Sequence, residues 1–236
     1  AGIKNALLEM GRELAVGAVG PELLRRYQRT MRLLQRRLDE LQHGILEVRM
    51  VPLAQVFEKL ARVVRKLSQE AGKQISFYGS GGETELDKLI VEELADPLMH
   101  IIRNAIDHGI EAGEARRLAG KPAEGIVALR AFARGAHVVI EVEDDGAGID
   151  PEHLRASAAE HGFVTAEAAP LLTRRELLDL IFLPGFTTRS RAGALSGRGV
   201  GMDVVKVNLT RLHGIVDVFS EPGQGTRFAL TLPITL

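Results

Sequence analysis

Cysteine is missing from all 236 residues, which excludes disulfides, thiol catalysis and zinc–thiolate sites. An excess of charge of one sign is missing too. The 30 Lys and Arg against 31 Asp and Glu leave a formal net charge of −1, too balanced for a chain whose whole surface grips nucleic acid. No apolar run approaches the roughly 18 residues of a membrane-spanning helix, and no secretory leader opens the chain. The expectation is a cytoplasmic protein with no direct membrane insertion. Ala1-Gly2 already lies within a helical pattern, as in a piece of a longer chain. What is present, 45% hydrophobic and 26% charged residues, is ordinary for a globular protein, and the length accommodates one sizeable core plus a smaller module.

The smaller module comes first. Ile3, Leu7, Met10 and Leu14 alternate by four and three, and Gly17, Gly20 and Pro21 then mark a helix–helix turn. The stripe resumes as Leu24, Tyr27, Met31, Leu34, Leu38, Leu41, Ile45 and Val48, predicting a second helix roughly 40 Å long. A lone hairpin with one narrow seam buries too little surface. Residues 1–48 are therefore expected to form a homodimer as a four-helix bundle, packing on the chain's own globular domain being the alternative. Solvation accounts for the arginines between positions 25 and 37. Pro52, in Arg49-Met50-Val51-Pro52, interrupts the heptads, so the second domain is placed at 49–236.

In that domain Leu53, Val56, Phe57, Leu60, Val63, Val64 and Leu67 predict a helix, and Ile75 to Tyr78 a strand. Thr84 or Asp87 is suited to cap the next helix, whose stripe is Leu94, Leu98, Ile101 and Ala105, and which Pro97 is expected to kink or loosen. Strands follow at 125–134 and 137–143, then helical pieces over 151–184 and a Gly-, Ser-, Thr- and Arg-rich stretch at 185–201 suited to a mobile loop. A helix over 203–212 and a strand pair at 215–220 and 226–232 close the chain. The hairpin-like strands favour an α+β sandwich over a doubly wound parallel sheet.

Three clusters carry chemistry. His100, Asn104 and His108 recur every fourth residue, which predicts one helix face with Asp107 beside them. That face suits polyphosphate and a hard cation, although a solvated helix end at Gly109 would look the same. Asp144-x-Gly146-x-Gly148, directly after a strand, suits either a tight turn or a pocket in which the aspartate accepts a hydrogen bond from an amine such as adenine's. Ser196-Gly197-Arg198-Gly199-Val200-Gly201-Met202 runs into a helix N-terminus and exposes amides to an anion. It has neither the dinucleotide fingerprint nor the Walker lysine.

In this order the clusters resemble the GHKL-type ATP-binding domain of histidine kinases, DNA gyrase, Hsp90 and MutL, with Gly223-Gly225-Thr226 similar to its last glycine box. Arg49-Met50-Val51-Pro52, Thr84-Glu85-Leu86-Asp87, the run from Arg103 to Glu111, Pro184-Gly185-Phe186-Thr187-Thr188 and the run from Gly197 to Val205 narrow the resemblance to the CheA-type chemotaxis kinases. It covers essentially the whole chain.

The resemblance implies a protein-histidine kinase using ATP and Mg²⁺. It implies Asn104 on Mg²⁺, and His100, Arg103 and His108 near the phosphates with Asp107 supporting them. It puts Asp144 on the adenine amine, with Gly146, Gly148, Ile149 and Thr226 around the base. Thr188 and Arg189 would stand near the γ-phosphate, and Ser196, Gly197, Gly199, Val200, Gly201 and Met202 in the phosphate lid. His100 stands where gyrase- and MutL-type ATPases carry a water-activating glutamate, which disfavours hydrolysis. The implied partners are a histidine phosphotransfer domain absent from this chain, a response regulator, a coupling protein and chemoreceptors. His43 lacks an acidic neighbour and falls between seam residues, so a solvated histidine describes it better than a phosphoacceptor. A dimeric nucleotide-binding scaffold with little transfer activity is the alternative function; a transition-metal site at His100, Asp107 and His108 is a distant third.

Overall fold

The computed structural model describes residues 21–186 and 201–235, with side chains of 21–24 and 39–48 left aside. The first expected helix, its turn and most of the Gly-rich loop lie outside the described residues. The chain divides into two compact units, Ala1–Met50 and Val51–Leu236. In the first, α1 (Pro21–Arg49) is a single helix of 29 residues, and its opening proline occupies a position where a missing N–H costs nothing.

In the second unit, β1 (Met50–Pro52) leads into α2 (Ala54–Glu70), β2 (Ile75–Ser80) and β3 (Glu85–Asp87). Next come α3 (Lys88–Asn104), α4 (Gly113–Leu118), β4 (Gly125–Arg134) and β5 (His137–Asp144). After α5 (Pro151–Glu160), α6 (Arg174–Asp179) and α7 (Met202–Arg211), the chain ends in β6 (Ile215–Glu221) and β7 (Gly225–Pro233). The main sheet has the order β2-β4-β5-β7-β6; β2 and β4 are parallel and the other neighbours antiparallel.

Alternation decides the layers. Val127, Leu129, Ala131, Val138, Ile140, Val142, Phe228, Leu230 and Leu232 are buried in one continuous core with the apolar sides of α2, α3 and α7. The opposite sheet face carries the exposed Tyr78, Ile126, Phe132 and Phe219, with Arg130–Glu143 and Arg227–Glu141 ion pairs across strands. This is a two-layer α/β sandwich with a mixed sheet, as the hairpin-like strands predict.

Packing decides three local points. Pro97 does not interrupt α3, because the helix buries Ile90, Leu94, Leu98, Ile101 and Ile102 along its length and that packing outweighs one lost hydrogen bond. Asp87, not Thr84, caps α3, accepting the Leu89 N–H at 2.9 Å; the Thr84 hydroxyl instead donates to the Ala131 carbonyl at 3.4 Å. The α-helical spacing also stops at Asn104, and Ala105–Gly109 winds as a π turn. Among the described residues no helix is long and apolar enough to cross a membrane.

Because Asp87 is 1% exposed and starts the helix that carries the site, Asp87→Ala is expected to cost about 1–2 kcal/mol. Urea denaturation followed by circular dichroism measures it, and an unchanged midpoint would remove the cap from the account.

Candidate functional site

The buried stripe of α3 leaves His100 and Asn104 half-buried and Arg103 exposed on its other side. The Nε2 atom of His100 is buried with no hydrogen-bond partner among the described residues. Burial lowers the pKa of His100 and the Arg103 charge adds to the effect, while Asp203 opposes it. The imidazole is therefore neutral at physiological pH. Asn104 Nδ2 donates to Met202 Sδ at 3.0 Å, so its carboxamide oxygen is the atom it could offer a cation. Asp107 and His108 stand exposed on the π turn. The wider winding sets the direction of His108, so the common face expected from α-helical spacing is replaced by a π-turn rim.

At the end of β5, Asp144 is only 5% exposed. Its carboxylate accepts the Gly146 N–H at 2.9 Å and a further backbone N–H from Thr226, its register partner on β7. Burial nevertheless pushes its pKa up to about 6, with the Asp145 and Glu111 charges acting in the same direction. Glycine is required beside it by close backbone approach. A Cβ on Gly146 would lie 2.1 Å from the Gly109 carbonyl oxygen, and one on Gly148, whose φ is +70°, 2.1 Å from that of Glu221.

Hydrogen bonds join the same surfaces. Ala147 N–H donates to Gly109 O at 2.8 Å, Gly223 N–H to Ala147 O at 2.7 Å and Ile149 N–H to Ser220 Oγ at 2.8 Å. Ser220 Oγ also donates to Gly225 O at 2.9 Å and lies 2.9 Å from Thr226 Oγ1. The Asp144 loop is thus attached to the π turn on one side and to the β6–β7 hairpin on the other.

Gly201, in an extended conformation, precedes α7, whose first residue Met202 touches Asn104 and whose second is Asp203. The uncapped amides of that turn are the part of the fold suited to phosphate oxygens. Asn104, Asp144, Gly146, Gly148, Ile149, Gly201, Met202 and Thr226 thus belong to elements held together by these contacts, with Arg103, Asp107 and His108 exposed at the rim. Thr188, Arg189, Ser196, Gly197, Gly199 and Val200 lie outside the described residues. A cavity of about 610 Å³ adjoins Asp144 and Thr226 on the hairpin side and is lined also by Arg174, Leu178 and Phe219. Its walls include no residue of α3. Among the described residues no cluster of three His, Asp or Glu side chains could hold a metal by itself, which removes support from a transition-metal site.

Residues 93–236 match the histidine kinase-, DNA gyrase B-, and HSP90-like ATPase family. The chain belongs to this ATPase family. Within it, the sequence is similar to CheA proteins. It is 51% identical over 197 residues to the chemotaxis protein CheA of Treponema pallidum, covering 84% of this chain and 24% of that protein. The sensor histidine kinase CheAY of Helicobacter pylori is 44% identical over 233 residues, 99% of this chain and 29% of its own length. The CheA of Bacillus subtilis is 47% identical over 207 residues, 88% of this chain and 31% of its own. The chain therefore spans about a quarter to a third of the length of these curated relatives.

The family motifs did not point to four residues that hold this ATPase site in shape. Ser220 joins Ile149 to the hairpin. Lys73 donates to the Ile106, Ile110 and Asp107 carbonyls at 2.5, 2.7 and 3.4 Å, satisfying carbonyls that the π turn leaves without helical donors. Arg116 is fully buried, and Lys121 bonds the Asp144 loop. Periodicity marks none of them, since each works through backbone groups that other segments supply.

The folded pKa of Asp144, about 6, lies above the ordinary aspartate value of 3.8, so the native state binds the extra proton between those values. Its contribution is fully present below about pH 3.8 and lost as pH rises through about 6. Relative to Asp144→Asn, the ligand-free wild type is expected to lose up to about 3 kcal/mol of stability between pH 4 and 7.5. Paired urea titrations at the two pH values measure it, and a pH-independent difference would contradict the burial effect.

Proposed function

We propose that this chain is the dimeric ATP-binding core of a CheA-like protein-histidine kinase, which transfers the γ-phosphoryl group of ATP to a histidine on a separate phosphotransfer domain. One observation carries the reading. The Asn104 carboxamide, the buried Asp144 carboxylate and the N-terminus of α7 belong to elements in direct contact, in a chain of an ATPase family and of CheA-type sequence.

Mg-ATP, when bound, supplies the transferable phosphoryl group and a cation that offsets phosphate charge. The protein's part is positioning. Asn104 presents its carboxamide oxygen to Mg²⁺, and His100 brings a neutral imidazole with an unpaired Nε2 to the same side. Arg103 and His108 contribute near the phosphates, Asp107 supports them, and the α7 amides from Gly201 and Met202 meet phosphate oxygens. Asp144 accepts a hydrogen bond from the adenine amine, its ionised form being the better acceptor, while Ile149 and Thr226 flank the base. Arg189 and Thr188 are assigned to the γ-phosphate end, and Ser196, Gly197, Gly199 and Val200 to the lid.

Tyr27 and Leu38, both on the heptad stripe, are 44% and 51% exposed in the single chain, which supports pairing of residues 1–48 with a second copy. By likeness to proteins named CheA, a response regulator, a coupling protein and chemoreceptors are the proposed partners, in the cytoplasm.

The test supplies γ-labelled ATP and Mg²⁺ to the chain with a CheA-type phosphotransfer domain. Acid-labile label is expected on that domain, reduced at least about a hundredfold in Asn104→Ala. Label on this chain itself would return His43 as acceptor. Tight nucleotide binding without label would favour the scaffold, and absence of binding would end the ATP reading.

A further inference from the structure

Arg116 is a buried guanidinium with every donor used. Its Nε–H donates to Pro122 O at 2.8 Å. Nη1 donates to Glu111 Oε2 and to Asp145 O, each at 3.1 Å, and Nη2 to Glu124 O at 3.2 Å and Asp145 Oδ2 at 2.7 Å. That accounts for all five N–H groups at 0% exposure. Lys121 is equally committed, donating to Glu111 Oε1 at 2.9 Å, Asp145 O at 2.9 Å and Gly146 O at 2.7 Å. Two cations thus converge on two successive carbonyls of the loop that follows Asp144.

The consequence follows from peptide geometry. In a trans peptide the C=O and the next residue's N–H lie in one plane and point in opposite directions. Fixing the Asp145 carbonyl toward Arg116 and Lys121 therefore aims the Gly146 N–H away from them, and that N–H donates to Asp144 Oδ1 at 2.9 Å. Fixing the Gly146 carbonyl toward Lys121 aims the Ala147 N–H the same way, and it donates to Gly109 O at 2.8 Å. One peptide plane orients the buried carboxylate; the next locks the loop to the end of the Asn104 motif. A bond to Ile126 N–H at 2.8 Å holds Asp145 Oδ1, so the pivot cannot swing.

We propose that Arg116 and Lys121 are positioning residues for base recognition: through these two peptide planes they set the Asp144 carboxylate in the orientation that selects a purine bearing an exocyclic amine. Neither touches the nucleotide. Their effect falls on the difference between an amine and a carbonyl at that ring position, because a misaimed carboxylate loses the amine's hydrogen bond and ceases to repel the carbonyl. The inference rests on the proposed binding of ATP at Asp144.

The experiment compares equilibrium binding of Mg-ATP and Mg-inosine triphosphate to the full chain, wild type against Lys121→Met and Lys121→Arg, with Arg116→Lys as a second site. Lys121→Met is expected to narrow the ATP preference by about tenfold, chiefly by weakening ATP, and Lys121→Arg to retain it. Arg116→Lys keeps the charge but lacks donors for five acceptors, and is expected to narrow the preference in the same direction. Equal weakening of both nucleotides, or an unchanged preference in folded variants, would overturn the proposal, since a purely structural role moves both alike. A wild type that binds neither nucleotide, or both equally, would remove the Asp144 reading itself and this inference with it.

Discussion

A carboxylate buried at the end of a strand must be held by donors that come to it, and in this domain those donors are backbone amides. Among the described residues Asp144 reaches the N–H groups of Gly146 and Thr226, and these do not fully offset the desolvation that raises its pKa to about 6. The surrounding architecture keeps those amides in place. The β5–β7 register delivers Thr226, the glycines permit backbone approach that a methyl group would block, and the Arg116–Lys121 pair turns the intervening peptides. The site is destabilised by its own charge when empty, so a ligand donor that reaches the carboxylate recovers interaction energy that folding alone leaves unused.

That constraint also explains how distant segments act together. Gly109 ends the π turn of the Asn104 motif and its carbonyl accepts from the Asp144 loop; the loop's own carbonyl at Ala147 accepts from Gly223 in the β6–β7 hairpin. Met202 closes the arrangement by contacting Asn104 from the start of α7. A displacement at any one of these backbone contacts is felt at the others, because each passes through one or two peptide planes of restricted rotation. For the proposed phosphoryl transfer, where catalysis is chiefly positioning and charge neutralisation, such a frame suits holding a base beside amides that suit an anion.

The sheet and helices do the supporting work by ordinary means. The inner face of the five-stranded sheet and the buried stripe of α3 share one core, so the polar side of α3 is carried to the site at fixed height. Pro97 is tolerated within α3 for the same reason: packing along both flanking turns outweighs a local defect. Regular winding yields at the π turn after α3, and its uncovered carbonyls are met by Lys73, from the loop after α2.

Much of this was legible in the residues. Period-two alternation in 137–143 and 226–232, the stripe of Leu94, Leu98 and Ile101, and the glycines beside Asp144 are local signals, because each reports whether a side chain faces core, solvent or a close backbone neighbour. The order of the Asn104, Asp144 and Gly201 motifs carries the resemblance to an ATP-binding family, and the resemblance implies ATP chemistry, since each motif by itself also suits a plain helix end or turn. Tertiary structure alone decided which of two candidates capped α3, that the α-helix stops at Asn104 with a π turn after it, and that Arg116 is wholly buried. Those outcomes depend on carbonyls contributed from elsewhere in the chain. Pattern in a sequence records side-chain character along one segment, whereas the partners of a backbone carbonyl exist only once the segments have packed.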